Sequence, residues 1–372
     1  MKKFVLFLLL LLAFGSLKTY KKYAKRPIKI TPYPFHVSVN YGHQRKIVER
    51  ASILILGDRM GKALNAYIPS MVKDLSINLA EVIKIFNWSQ ENEGIHRTLA
   101  RLKSLKNFPE IIIYHGASEE FFEQTFHLKD KDIIFDNFKK HSDDGILSLI
   151  MAFPFLSKFI YKPVDYLNLK NIKKAEEGSK GTHKLIQMEM IYKLYQYQLE
   201  EMINLIKENN STLILLTTPV NLSIYPNKVC EGSSNALLRL ELEKIEKELK
   251  NGLYKLSFKK LEFLKKKVFG NARVLYLSGI ASQKLGYFKT AEKILQQSAV
   301  FDCGTWRGNK VFNNLIRQSS NKHDLFLIDF DKMVNSKLGK DNLFIGKYFP
   351  QTVFYKKAIE SINQIIVQTL EL

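Results

Sequence analysis

Five short runs at 52–56, 82–86, 110–114, 212–217 and 325–329 are rich in Ile, Leu and Val and largely apolar on both faces. A strand that hides both faces belongs inside a sheet covered by helices on each side, the usual setting of parallel strands. Helical periodicity follows most of them, over 60–72, 95–105, 119–126, 183–207 and 354–370. Strand, helix, strand in repetition predicts a doubly wound α/β domain with a mostly parallel sheet. A longer, partly helical stretch at 132–181 interrupts the pattern and is expected to cap the sheet edge.

Between about Ser234 and Asp302 the alternation stops and helix follows helix. Gly252-Leu253-Tyr254-Lys255-Leu256-Ser257 and Gly286-Tyr287-Phe288-Lys289-Thr290-Ala291 are offset by 34 residues, about the tetratricopeptide period. In the second copy Gly279, Gly286, Ala291, Leu295 and Ser298 fall where that repeat packs small or core residues, while Ser278 departs from its usual Leu. In the first copy Gly252, Ser257 and Leu261 agree, and Ile245 and Leu264 stand where small residues are expected. A plain helical hairpin with the same apolar spacing is the other reading. Such repeats carry no chemistry and offer a surface to a protein partner.

At 372 residues the chain is long enough for more than one compact unit. Its formal charge of +21 favours anionic neighbours. The excess lysine is spread along the whole chain, which describes a solvated surface and argues against a nucleic-acid-binding arm. Lys2-Lys3 precede an unbroken apolar run, 4–14, and lysines follow from Lys18 onward. Eleven apolar residues match the core of a secretory signal and fall short of the roughly 20 that span a bilayer. Residues 1–17 are therefore read as a cleaved signal or an uncleaved membrane tether, and 18–50 as a basic linker; either way the body lies outside the cytoplasm. Cys230 and Cys303 could pair in an oxidising compartment or remain two separate thiols. Their spacing fits no zinc pattern, and neither a metal nor a cofactor is expected.

Two of the apolar runs empty into small, polar turns: Ile53-Leu54-Ile55-Leu56-Gly57-Asp58-Arg59 and Ile111-Ile112-Ile113-Tyr114-His115-Gly116-Ala117-Ser118-Glu119. Ligands of open α/β sheets sit at the carboxyl ends of strands, so the two turns are expected to share one site. In block order from Ala51 onward the chain resembles the SGNH (GDSL-type) hydrolase family, in particular members with a tetratricopeptide insertion. That resemblance implies a three-layer α/β/α sandwich built from 51–233 and 303–372, with 234–302 inserted. Gly57 and Asp58 match the first block, and Arg59 stands at the position of its nucleophilic Ser. Gly94 matches the oxyanion glycine of the second block. In Gly116-Ala117-Ser118-Glu119, Ser118 stands where an Asn would donate to the oxyanion. Asp302, Arg307, Asn313 and Arg317 resemble the segment that re-enters the sheet after the insertion. The last block, Asp-x-x-His-Pro, reads Gly346-Lys347-Tyr348-Phe349-Pro350, so Gly346 replaces the Asp and Phe349 the His.

Acyl transfer at such a site needs a hydroxyl, an imidazole to take its proton and a carboxylate to orient the imidazole. Arg59 stays protonated and has no lone pair, Phe349 has no basic atom, and Gly346 has no side chain. A relocated apparatus would have to draw on His115 or His96 as base, with Ser118 or Ser89 as nucleophile; a lone strand-end His is otherwise a structural residue. His323-Asp324 and Asp143-Asp144 read as turn and helix-start chemistry, and Glu119-Glu120 as dipole complements in a helix's first turn.

The cleft is therefore expected to comprise Asp58, Arg59, Gly94, Gly116 and Ser118. In it Arg59 either holds an anionic glycan or acyl ligand or pairs with Asp58, Glu119 or another carboxylate. The expected function is that of an extracytoplasmic, catalytically degenerate binding or scaffold protein. The alternatives are an active esterase or deacetylase on envelope polysaccharide or lipid, and an adaptor acting through 234–302.

Overall fold

The computed structural model describes residues 41–80, 82–122, 125–165, 185–226, 236–302, 307–340 and 342–371. The apolar run 4–14, Cys230 and Cys303 lie outside them.

The five apolar runs form one sheet. Its strands are β1 (Ile53–Gly57), β2 (Ile85–Asn87), β3 (Ile111–His115), β4 (Thr212–Leu216) and β5 (Phe326–Ile328), in the order β2-β1-β3-β4-β5. Every pairing is parallel, with Gly57 level with His115. Alternate residues feed two cores, because successive side chains of a strand point to opposite faces. Leu54, Leu56, Ile112, Tyr114, Leu213 and Leu215 face one core, and Ile53, Ile55, Ile111, Ile113, Ile214 and Leu216 face the other.

Helices cover both faces. In chain order they are α1 (Gly42–Val48), α2 (Arg59–Ala63), α3 (Ile68–Leu79), α4 (Ile95–Lys103), α5 (Lys131–His141), α6 (Asp144–Ala152), α7 (Ser157–Ile160), α8 (Leu185–Glu208), α9 (Ala236–Lys250), α10 (Tyr254–Lys267), α11 (Ala272–Lys284), α12 (Phe288–Val300), α13 (Lys310–His323), α14 (Phe330–Asn335) and α15 (Thr352–Leu370). The first face is covered by α4, α8 and α13, the second by α3, α14 and α15. This is the three-layer α/β/α sandwich that the resemblance implies. Among the described residues no helix is long and apolar enough to cross a membrane.

Four local expectations are corrected. The helix expected over 60–72 is broken into α2 and α3 by a 3-10 turn at 64–67, and α3 restarts with Pro69 in its first turn, where a missing N–H costs nothing. No helix forms among the described residues of 119–126, because Glu119 and Glu120 turn inward to accept hydrogen bonds from other segments. The basic linker is folded from residue 41 onward: Trp88 Nε1 donates to Gln44 at 2.6 Å, Tyr41 meets the Trp88 ring edge-on, and Val48 is fully buried. The segment expected to cap a sheet edge is instead carried on α8, where Phe138 packs on Tyr197 and the Tyr197 hydroxyl reaches His141.

Helices α9 to α11 build a core of their own from Leu238, Leu242, Ile245, Leu261, Leu264, Leu277 and Ala281. Gly279 of α11 lets α12 approach so closely that a Cβ there would lie 2.5 Å from Leu295 Cγ. Leu295 and Ala299 also pack on Val220 and Leu222 in the loop that follows β4. The helical segment is thereby fastened to the sandwich at the carboxyl end of its sheet.

Candidate functional site

The order β2-β1-β3 makes the chain step to one side of β1 and then to the other, and the crevice of an open sheet forms at that reversal. The carboxyl ends of β1 and β3 meet there with very little room. Gly57 adopts φ +139°, and a Cβ on it would lie 2.0 Å from the His115 carbonyl oxygen. Only glycine fits, for reasons of space and of backbone conformation.

Asp58 is buried and caps α2, accepting from Met60 N at 2.9 Å. Its other oxygen accepts from Ser118 N at 2.6 Å and Ser118 Oγ at 2.8 Å, which ties the two strand ends together. Arg59 is the first residue of α2. Its Nε donates to Glu119 Oε1 at 2.6 Å, and its Nη2 pairs with the same oxygen. Glu119 Oε2 accepts from the main-chain N–H groups of Asn92, at 2.6 Å, and Arg59, at 3.2 Å. The Glu119 side chain is wholly buried, while that of Arg59 keeps 12% of its surface exposed.

Burial, followed by the nearby Asp58 charge, pushes the Glu119 carboxyl up to about 7 against the pull of Arg59. Burial also raises Asp58, against its hydrogen bonds from Met60 and Ser118. For Arg59 desolvation opposes the charge, but Glu119 and Tyr348 together more than offset it and strengthen its hold on the proton. Glu120 points the other way and accepts from Ile95 N at 3.1 Å, beside Gly94 at the start of α4. It does complement a helix dipole, but that of α4 and not of a helix beginning at its own position. A Cβ on Gly94 would come within 2.8 Å of Glu120 Oε2, so the glycine makes room for this carboxylate.

The last block forms a two-stranded hairpin, β6 (Phe344–Ile345) and β7 (Phe349–Pro350), with Ile345 opposite Phe349. The aromatic ring it lowers over the site is that of Tyr348, whose centroid lies 4.1 Å from the Arg59 guanidinium carbon; Phe122 flanks the same cation at 5.2 Å. Phe349, the aligned replacement for histidine, is 36% exposed. The residue that faces Arg59 is thus one position earlier than the alignment gives. Gly346 turns the hairpin at φ +66°, and its carbonyl, like that of Lys347, accepts from Asn221 Nδ2 at 3.2 Å.

Neither fallback assembles a catalytic pair. His115 ends β3 with its ring fully buried against Phe330. Neither ring nitrogen makes a hydrogen bond of ordinary geometry. Burial lowers its pKa to about 3. The Ser118 hydroxyl is spent on Asp58, and the buried Ser89 hydroxyl has no hydrogen-bond partner. His96 is buried in the first turn of α4. His323 bonds Glu200 at 2.7 Å, Asp324 is the left-handed cap of α13, and Asp143 caps α6. Gly116 lies under the Thr218 hydroxyl, which donates to its carbonyl oxygen.

The segment after the helices braces the site from below. Asn313 Nδ2 donates to the Thr218 carbonyl and its Oδ1 accepts from Thr218 N, both at 2.8 Å. Arg307 donates to the Asn221 carbonyl at 2.5 Å, and Arg317 forks onto Asp329 at 2.9 and 2.7 Å while reaching Asp331. These bonds hold the loop after β4, and through Asn221 the hairpin that carries Tyr348. A recess of about 340 Å³ lies elsewhere, between α5, α8 and the end of α13, and none of the strand-end residues borders it. Among the described residues no cluster of His, Cys, Asp and Glu is arranged to hold a metal ion.

No family model matches the chain, and no curated protein matches it. Among solved structures it is similar to a proposed acylhydrolase from Bacteroides fragilis, at 11% identity and a TM-score of 0.40 over 89% of this chain and 96% of that one. It is also similar to a GDSL-like lipase from Bacteroides thetaiotaomicron, at 10% identity and a TM-score of 0.37 over 94% and 98%.

Proposed function

We propose that this protein is a non-catalytic, extracytoplasmic binding or scaffold protein whose sandwich has the form of an ester hydrolase. The Arg59–Glu119 pair carries the reading: a permanent cation occupies the expected nucleophile position and is satisfied internally by a buried carboxylate. An oxyanion-forming reaction there would need a hydroxyl with a base beside it, whereas the Ser118 hydroxyl donates to a carboxylate and that of Thr218 to a main-chain carbonyl. Placement outside the cytoplasm rests on Lys2-Lys3 and the apolar run 4–14.

Arg59 does not act as a clamp for an anionic glycan or acyl ligand on this reading. Such a ligand would have to displace Glu119 in surroundings that also hold Asp58 and Glu120. Binding is assigned instead to the helical surface of α9 to α12, where Leu237, Leu240, Leu256 and Phe263 are exposed and a protein partner would be received.

Incubation with p-nitrophenyl acetate and a serine-directed fluorophosphonate tests the absence of catalysis. The expected outcome is neither turnover nor labelling; a labelled serine would return the esterase alternative. Titration of wild type and Arg59→Ala with anionic oligosaccharides should give no arginine-dependent binding, and a loss confined to the variant would restore the clamp.

A further inference from the structure

From Gly145 to Pro163 the chain holds no acidic residue and only two charges, Lys158 and Lys162. This stretch comprises most of α6, a 3-10 turn at Pro154–Leu156, and α7. Its apolar side chains are displayed to solvent: Leu149 is 46% exposed, Phe155 62% and Phe159 84%. Phe155 and Phe159 are four residues apart across continuous helical turns, so they share one face. Lys158 is exposed between them, Lys162 follows just beyond α7, exposed although within 3.8 Å of Asp136, and exposed Lys139 adds a third cation on the adjoining α5.

The excursion is built to stay out. Asn137 brackets its return, donating to the Lys162 carbonyl at 2.8 Å and accepting from Lys162 N at 3.0 Å. His141 Nδ1 meets the Tyr161 hydroxyl at 2.6 Å, and Lys140 donates to the Ile160 carbonyl at 3.3 Å. A lobe held at its root, with phenylalanines at its tip, does not collapse back onto α8. Exposed aromatic rings rimmed by lysine suit an interface in which apolar groups enter the acyl boundary and cations remain among phosphate groups. Each lysine near an anionic leaflet adds attraction that salt screens.

We propose that the 145–163 lobe is a membrane-interface element that docks on an anionic lipid surface, inserting Phe155 and Phe159 with Lys139, Lys158 and Lys162 at headgroup level. The charge pattern selects lipid over a second copy of the chain, since like lysine rims would oppose each other in a symmetric pair. The lobe thus adds a contact separate from the N-terminal apolar run.

Full-length Phe159→Trp, measured against wild type, gives a reporter at the tip. With vesicles of phosphatidylglycerol and brominated phosphatidylcholine, the introduced indole should shift to the blue and be quenched. Neutral phosphatidylcholine vesicles or high salt should abolish most of that response. The double variant Phe155→Ser/Phe159→Ser should need at least about tenfold more anionic lipid for half-maximal binding, with an unchanged circular dichroism melt. An introduced indole that stays in water while the chain sediments with the vesicles would overturn the proposal. So would a wild-type dimer in sedimentation equilibrium that becomes monomeric in the double variant, because a second copy would then cover the face.

Discussion

Replacing Arg59 by Ala gives a stability cost whose pH dependence identifies the state of Glu119. Below pH 4.5 this carboxyl is neutral in the folded and the unfolded chain. As pH rises toward about 7 the unfolded chain releases its proton while the folded one retains it, so stability falls and then levels off. That burden amounts to about 3 kcal/mol above pH 7 in the wild type, taking about 1.4 kcal/mol for each pH interval between the two values. Arg59→Ala removes two side-chain donors from Glu119 and leaves only the main-chain N–H groups of residue 59 and Asn92. At pH 8, where the carboxylate is ionised, the variant should lose about 3–5 kcal/mol, as for a buried ion pair deprived of one partner. At pH 5 Glu119 is protonated with or without its partner, and the cost should shrink to the stacking on Tyr348, about 0.5–2 kcal/mol. Urea unfolding at pH 5 and pH 8, with slopes compared to confirm two-state behaviour, provides the measurement. The titration of His115 is common to both proteins and cancels. A cost independent of pH, or larger at pH 5, would refute the assignment of a raised carboxyl.

His115→Leu should make the protein more resistant to acid. The buried ring keeps a pKa of about 3 when folded, so stability falls as pH drops from 6.5 and only the unfolded chain takes up the proton. Relative to wild type the variant should gain about 3 kcal/mol between pH 7 and pH 4; urea midpoints that move in parallel would show a hydrated or charged imidazole. Asn313→Ala should cost about 2–4 kcal/mol, because it strands both the N–H and the carbonyl of buried Thr218. A change below 1 kcal/mol in the same assay would mean that water replaces the amide.

The sheet was legible because the central strands β1, β3 and β4, buried on both faces, leave an unmistakable apolar run, and the partly exposed edge strands β2 and β5 are apolar as well. The carboxyl-end turns of β1 and β3 were legible too, since Gly57 marks a place where main chains crowd and Gly116 one where the Tyr114 ring leaves no room for a side chain. The stretch after β3 was misread for a physical reason. Adjacent carboxylates at 119 and 120 look the same in sequence whether they complement the dipole of their own helix or turn inward to an arginine and to another helix. Tyr348 was missed because facing direction in a short hairpin depends on its register, and one residue of slip exchanges the inward and outward rings. Asn313, Arg307 and Arg317 were picked out by resemblance alone. Asn313 and Arg307 brace through partners 95 and 86 residues distant in the chain, which no local pattern encodes, whereas Arg317 acts on Asp329 and Asp331 a short way along.

The contact of Leu295 and Ala299 with Val220 and Leu222 also bears on how the molecule assembles. The chain leaves the sheet at Leu216 and rejoins it at Phe326, so closure across roughly a hundred residues would slow the arrival of the final strand if the excursion were slack. Helices rich in neighbouring contacts form early, and once they seat on the exit loop they deliver the returning chain close to its berth. A cut between α10 and α11 should therefore delay refolding of the sandwich far more than it loosens the finished protein.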